Sequence, residues 1–136
     1  IIIGDGPEKT HIEKALLYDR TIEWKGALVK EKEIAPLMKR SSMVFIPGHS
    51  GLSINHAFSY GRPYFTIRSK DHAPEIEYIN QGINGCILGP KMEKNIKELE
   101  DFFLSDNTQM SRNAFDSGKE LSVENWCEKF YASFSI

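Results

Sequence analysis

Short, continuous apolar runs alternate along this chain with stretches in which hydrophobic residues recur every three or four positions. Ile1–Ile3 reads as a buried strand, followed by the turn cluster Gly4-Asp5-Gly6-Pro7 and a helix from about Glu8 to Tyr18 with Ile12, Ala15 and Leu16 on one face. Thr21–Trp24 reads as a second strand, ended by Lys25-Gly26, and Ile34, Leu37 and Met38 mark an amphipathic helix. Met43–Ile46 is a wholly apolar strand stopped by Pro47-Gly48. Ser50–Tyr60 reads as a helix closed by Gly61, with Pro63 just beyond. Tyr64–Ile67 is the next strand. A short helix over Pro74–Asn80 follows, then a turn over Gly82–Gly85 and a last strand at Cys86–Leu88. Three helices finish the chain: Lys91–Leu104, Asn107–Gly118, and one capped by Ser122 that carries Trp126, Phe130 and Tyr131, read first as packing residues and second as a face that docks on a domain outside this chain.

Strands buried on both faces that alternate with helices predict a mostly parallel sheet of about five strands in an α/β/α sandwich of Rossmann-like type. With no repeat or linker, residues 1–136 read as one domain. The chain opens without methionine, directly on an apolar triplet, which reads as a fragment of a larger protein.

Composition narrows the function classes. A chain of 136 residues that is 40% hydrophobic and 26% charged is an ordinary globular sequence. Its net charge of −2, with lysines and arginines dispersed, argues against nucleic acid as a partner. The two cysteines, Cys86 and Cys127, have no metal-ligand spacing, so no metal is expected and a reducing cytoplasmic compartment is the default. No run is long enough to span a membrane.

In parallel sheets of this kind ligands bind beyond the carboxyl ends of the strands. There the sequence reads Pro47-Gly48-His49-Ser50-Gly51-Leu52-Ser53. Glycines let main-chain N–H groups approach an anion, and a helix starting directly afterwards adds unpaired donors. Ser50 and Ser53 could cap that helix or donate hydroxyls to phosphate. Two readings stay open: a phosphate site, and a tight strand-to-helix turn with a serine cap.

The same residues carry a resemblance. Pro47-Gly48-x-x-Gly51-Leu52, with His56-Ala57, Tyr60-Gly61 and Pro63, resembles the signature of the family 4 (group 1) glycosyltransferases, which have the two-Rossmann-domain architecture called GT-B. Ile2–Glu8, Glu23–Gly26, Pro74–Ile76 with Gly82–Gly85, and Ser122–Trp126 resemble further pieces of that family in order and spacing. The resemblance implies the donor-binding domain of an enzyme that transfers a sugar from a nucleotide-sugar to an acceptor in polysaccharide or glycolipid synthesis. It implies retention of configuration, no cofactor and no obligatory metal. Gly48, His49, Ser50, Gly51, Leu52 and Ser53 would surround the diphosphate and sugar, His56 the ribose, and Gly26, Ala27, Leu28 and Val29 the nucleobase; Gly4, Gly6 and Glu75 are further candidates. The acceptor-binding N-terminal domain would lie outside this chain, as would the first strand of this domain, central in the order 3-2-1-4-5-6. The isolated fragment is then expected to be inactive, and the full-length enzyme could associate peripherally with the inner face of a membrane.

Two glutamates separated by seven residues are usual in that family. Gly48 and His56 stand there instead. An imidazole can hydrogen-bond a ribose hydroxyl, whereas glycine has nothing to replace a carboxylate. Arg68, Lys70, Asp71 and His72 form a polar loop on the expected ligand side, and Glu75 equally suits the start of a helix as an acid that complements the macrodipole. A nucleotide-sugar epimerase of the same architecture and a non-catalytic nucleotide-binding module are the rival readings.

Overall fold

The computed structural model describes residues 1–134. The chain forms two compact units, Ile1–Ser41 and the part from Ser42 onward.

In the first unit, α1 (Lys9–Tyr18) and α2 (Glu31–Arg40) flank two extended segments. The expected strands Ile1–Ile3 and Thr21–Trp24 meet in a single parallel bridge, Ile2 to Trp24. Its hydrogen bonds run from Ile2 N–H to the Glu23 carbonyl at 2.8 Å and from Lys25 N–H to the Ile2 carbonyl at 2.9 Å. Neither segment is fully covered: Ile1 and Ile3 are exposed, Ile2 and Trp24 are half-buried, and α1 has no buried residue. The amphipathic reading of α2 holds, with Met38 buried, Glu31 and Glu33 in its first turn and Lys39 and Arg40 in its last, complementing the helix dipole at both ends.

The second unit has the parallel sheet. β1 (Val44–Ile46), β2 (Tyr64–Ile67) and β3 (Gly85–Leu88) lie in the order β1-β2-β3, with Phe45 opposite Phe65 and Phe65 opposite Cys86. Three of the five expected strands thus form a continuous ladder. Side chains alternate between faces along each strand. Phe65 and Leu88 face α4 (Met92–Leu104) and pack with Phe102, whose ring meets that of Phe65 edge-on at 4.9 Å. Each such side chain, fully buried, contributes about 1.5–3 kcal/mol.

Tyr64 and Thr66 face the opposite side, toward α3 (Ser53–Ser59). α3 in turn packs on α5 (Thr108–Glu120). Helix layers on both faces complete the α/β/α arrangement, and α6 (Val123–Phe134) follows α5. Trp126 and Phe130 do not pack into the core, the first reading, but are exposed on α6, where their rings stack on each other at 5.2 Å.

Gly61 ends α3 as the sequence predicts. Its φ is +62°, its N–H donates to the Phe58 carbonyl at 2.8 Å, and the Arg62 N–H reaches the Ala57 carbonyl at 2.9 Å. That pair of bonds is a Schellman closure, and its left-handed residue favours glycine. The chain then turns straight into β2, which sets the height of Tyr64 and Thr66 beneath the segment Pro47–Ser53.

Candidate functional site: the turn between β1 and α3

The segment leaving β1 was expected to enter a helix at Ser50. It does so three residues later, at Ser53. The cause is Ser50, which is fully buried. Its Oγ donates to Thr66 Oγ1 at 3.1 Å and accepts from the Tyr64 hydroxyl at 3.1 Å. Its carbonyl accepts the Ala73 N–H at 2.9 Å, so that oxygen is committed outside the helix. The Ser53 hydroxyl likewise pairs with the Tyr64 hydroxyl at 2.8 Å. Residue Leu52, exposed, holds the N-cap position of α3 with no side-chain capping bond. Both serine hydroxyls therefore hold the turn to β2 and neither caps the helix.

With the side chains turned inward, the main chain supplies the free donors. Ile54 N–H bonds the Gly51 carbonyl at 2.9 Å and His56 N–H the Leu52 carbonyl at 3.1 Å. The amides of Gly51, Leu52 and Ser53 donate to no acceptor among the described residues. Three consecutive unpaired N–H groups at the carboxyl end of a parallel strand can take an anion.

The loop after β2 braces this turn. His49 donates from Nδ1 to the Asp71 carbonyl, and the Ser50 N–H donates to His72 Nδ1 at 3.2 Å. Gly51 is a glycine for steric reasons: a Cβ there would stand 3.0 Å from the Ala73 Cβ. Gly48 differs, because a Cβ there would meet nothing within 4 Å.

Glu75 opens the 3₁₀ helix Pro74–Tyr78, as an acid in the first turn of a helix should. Its Oε2 is buried, has no hydrogen-bond partner and lies 3.6 Å from where a Gly51 Cβ would be. A buried acceptor without a donor costs free energy, so this carboxylate can receive a hydroxyl or amide from a ligand. His56 is half-buried on α3 and meets the Tyr60 ring edge-on at 5.5 Å.

The remaining candidates belong to the first unit. Gly4, with φ +139°, donates to the Gly26 carbonyl at 2.8 Å and accepts Trp24 Nε1–H at 2.9 Å. Gly6 N–H binds Asp5 Oδ1 at 2.8 Å. In the loop expected to receive a nucleobase, Gly26 has φ +65°, Ala27 and Val29 are exposed and Leu28 is half-buried. The turn, His56 and Glu75 thus gather in the second unit, while Gly4, Gly6 and Gly26–Val29 form their own group in the first.

Sequence reasoning missed Tyr64 and Thr66. The available signal was two hydroxyl-bearing residues, two positions apart in an apolar strand, matching Ser50 and Ser53 after the preceding one. Among the described residues no group of three acidic, histidine or cysteine side chains could hold a metal ion, and no helix is long and apolar enough to cross a membrane.

No protein-family model and no curated protein matches the chain. Solved structures do. The pneumococcal O-GlcNAc transferase GtfA in complex with UDP and GlcNAc superposes with a TM-score of 0.70 at 16% identity, over 97% of this chain and 28% of that one. The fold is that of a GT-B glycosyltransferase domain. HepE of Anabaena in complex with UDP-glucose matches with a TM-score of 0.68 at 15% identity, over 98% of this chain and 39% of that one. WaaG, a glycosyltransferase involved in lipopolysaccharide biosynthesis, gives 0.67 at 18% identity, over 98% and 37%. The chain thus spans between 28% and 39% of the length of these GT-B proteins.

Proposed function

We propose that this chain is the donor-binding part of a glycosyltransferase, holding a nucleotide-diphosphate sugar by its diphosphate while the sugar passes to an acceptor bound elsewhere in a longer protein. The single observation supporting this is the row of unpaired amides at Gly51, Leu52 and Ser53, at the end of β1 in a GT-B-type fold. As the glycosidic bond breaks, negative charge grows on the departing diphosphate. Fixed N–H dipoles stabilise that charge without reorganising, so the turn would act by electrostatic preorganisation.

In the second unit, the Glu75 carboxylate oxygen would accept a sugar hydroxyl and His56 would hydrogen-bond the ribose; in the first, the loop Gly26–Val29 would receive the nucleobase. Transfer would proceed with retention and without a metal, in assembly of a polysaccharide or glycolipid on the cytoplasmic side, with the full-length protein free to associate with the membrane face.

Titration of the chain with UDP, GDP and ADP, followed by its melting temperature and by calorimetry, tests the reading. Saturable stabilisation by at least one nucleoside diphosphate, stronger than by the matching monophosphate, is expected. No stabilisation by any of them at millimolar concentration would refute it.

Gly48 favours a second reading, a nucleotide-binding module without transfer, since no carboxylate occupies that open position. Nucleotide binding in the full-length protein without turnover over a panel of acceptors would support it. Interconversion of UDP-sugars without acceptor would instead mark an epimerase.

A further inference from the structure

His72 is bonded through both ring nitrogens to main-chain groups whose roles are fixed. At Nδ1 it meets the Ser50 N–H at 3.2 Å, which can only donate; at Nε2 it meets the Ile67 carbonyl at 2.9 Å, which can only accept. The ring must therefore be neutral with its proton on Nε2. One side chain thereby ties the end of β2 to the turn that follows β1.

The neighbouring bonds complete a clamp. Ser50 N–H goes to His72 and the Ser50 carbonyl takes the Ala73 N–H, so the peptide planes before and after Ser50 are both fixed by the segment Asp71–Ala73. In a trans peptide the carbonyl and the following N–H point in opposite directions. With the Ser50 carbonyl aimed at Ala73, the Gly51 N–H must aim away from it. His49, whose Nδ1 binds the Asp71 carbonyl, pulls the same two segments together one residue earlier.

We propose that His72 is a positioning residue of the diphosphate site: its Nε2-protonated ring orients the His49–Ser50 peptide, and through it the run of amides at Gly51, Leu52 and Ser53. The inference rests on the nucleotide reading above and assigns a function to the loop after β2. His72 does not itself touch the ligand in this account. The position calls for a side chain that accepts from the Ser50 N–H at one atom and donates to the Ile67 carbonyl at another, and the neutral imidazole does both.

Three variants of the chain, H72A, H72N and H72Q, test this against UDP. Asparagine can present its Oδ1 where Nδ1 stood and so keep an acceptor for Ser50, whereas glutamine reaches the Ile67 side. H72A should raise the Kd for UDP about tenfold or more, because the Ser50 amide is left without a partner, and H72N should recover most of that loss while H72Q does not. Nitrogen-15 spectra of the wild-type imidazole should show the proton on Nε2. The amide resonances of Gly51, Leu52 and Ser53 should move in H72A without nucleotide, at a melting temperature that shows the variant folded.

A wild-type chain that binds UDP while H72A binds it equally well overturns the positioning role and leaves the nucleotide reading standing. A ring protonated on Nδ1, or turn amides unmoved in H72A, also overturns it. Failure of the wild-type chain to bind UDP removes the nucleotide reading and the positioning role together, and the nitrogen-15 pattern then still reports whether the clamp exists.

Discussion

A methyl group at Gly51 would stand 3.0 Å from the Ala73 Cβ, closer than nearly all real contacts between such atoms, while one at Gly48 would meet open space. These two glycines of one turn separate cleanly by experiment. G51A should push the Asp71–Ala73 segment away and weaken UDP binding by roughly tenfold, about 1.4 kcal/mol. G48A should leave the affinity within about twofold, as for a surface change that touches nothing. Calorimetry on both variants checks the contrast, and equal effects would contradict it. Glu75 makes a different prediction, because its buried Oε2 has no donor within the chain. Glu75→Gln should weaken UDP-glucose binding while leaving UDP alone unaffected; parallel weakening of both ligands would remove the carboxylate from the sugar subsite. Gly51 and Glu75 were legible in the sequence as candidates, through their order after an apolar strand and at a helix start. The inward use of Ser50 and Ser53 was not. Their partners Tyr64 and Thr66 lie on another strand, and only β2 packing beneath the turn decides which way those hydroxyls face.

At the scale of elements, the three strands of the sheet were readable because Met43–Ile46, Tyr64–Ile67 and Cys86–Leu88 are mostly apolar runs, although only β2 is buried almost throughout and Phe45 of β1 stays exposed. Ile1–Ile3 is just as apolar, yet makes only one bridge, since a strand is defined by its partner and its cover as much as by its residues. The packing of α3 on α5 was invisible in the hydrophobic pattern because it depends on an absent side chain. A Cβ at Gly118 would come within 2.7 Å of the Phe58 carbonyl carbon and oxygen, so the two helix backbones meet there directly. G118A should therefore destabilise the chain by about 1–3 kcal/mol despite the better helix propensity of alanine, read as a lower urea midpoint at unchanged slope. In the first unit Glu23 binds Lys25 at 2.9 Å and Arg40 at 2.8 Å, joining the bridge segment to the end of α2. Those cations, Lys25 foremost, hold its carboxyl down to about 2, from an ordinary 4.5. A folded-state value below the unfolded one gives stability that is complete above the ordinary carboxylate range and is lost as pH falls toward about 2. E23Q should flatten the acid limb of stability between those values, and the effect should shrink in high salt because all three groups are solvent-accessible.

Across the whole molecule, the donors of the proposed diphosphate site come from main chain, and the side chains around them serve to aim that main chain. This explains why a chain lacking both glutamates typical of the resembling family can keep the architecture: the amides of a turn survive changes in the side chains that flank it, provided glycine remains where space requires it. It also explains why fold likeness persists at 15–18% identity to GT-B glycosyltransferases, since continuous apolar strands and a few glycines specify this arrangement without specifying a substrate. The choice of sugar and acceptor depends on side chains, and that part of the site was the least readable. The most direct test is a proton–nitrogen-15 correlation spectrum of the chain titrated with UDP. If this turn holds the diphosphate, the amide resonances of Gly51, Leu52 and Ser53 shift together and saturate, with the largest changes in the spectrum. Saturable shifts centred elsewhere while these three stay still would contradict it.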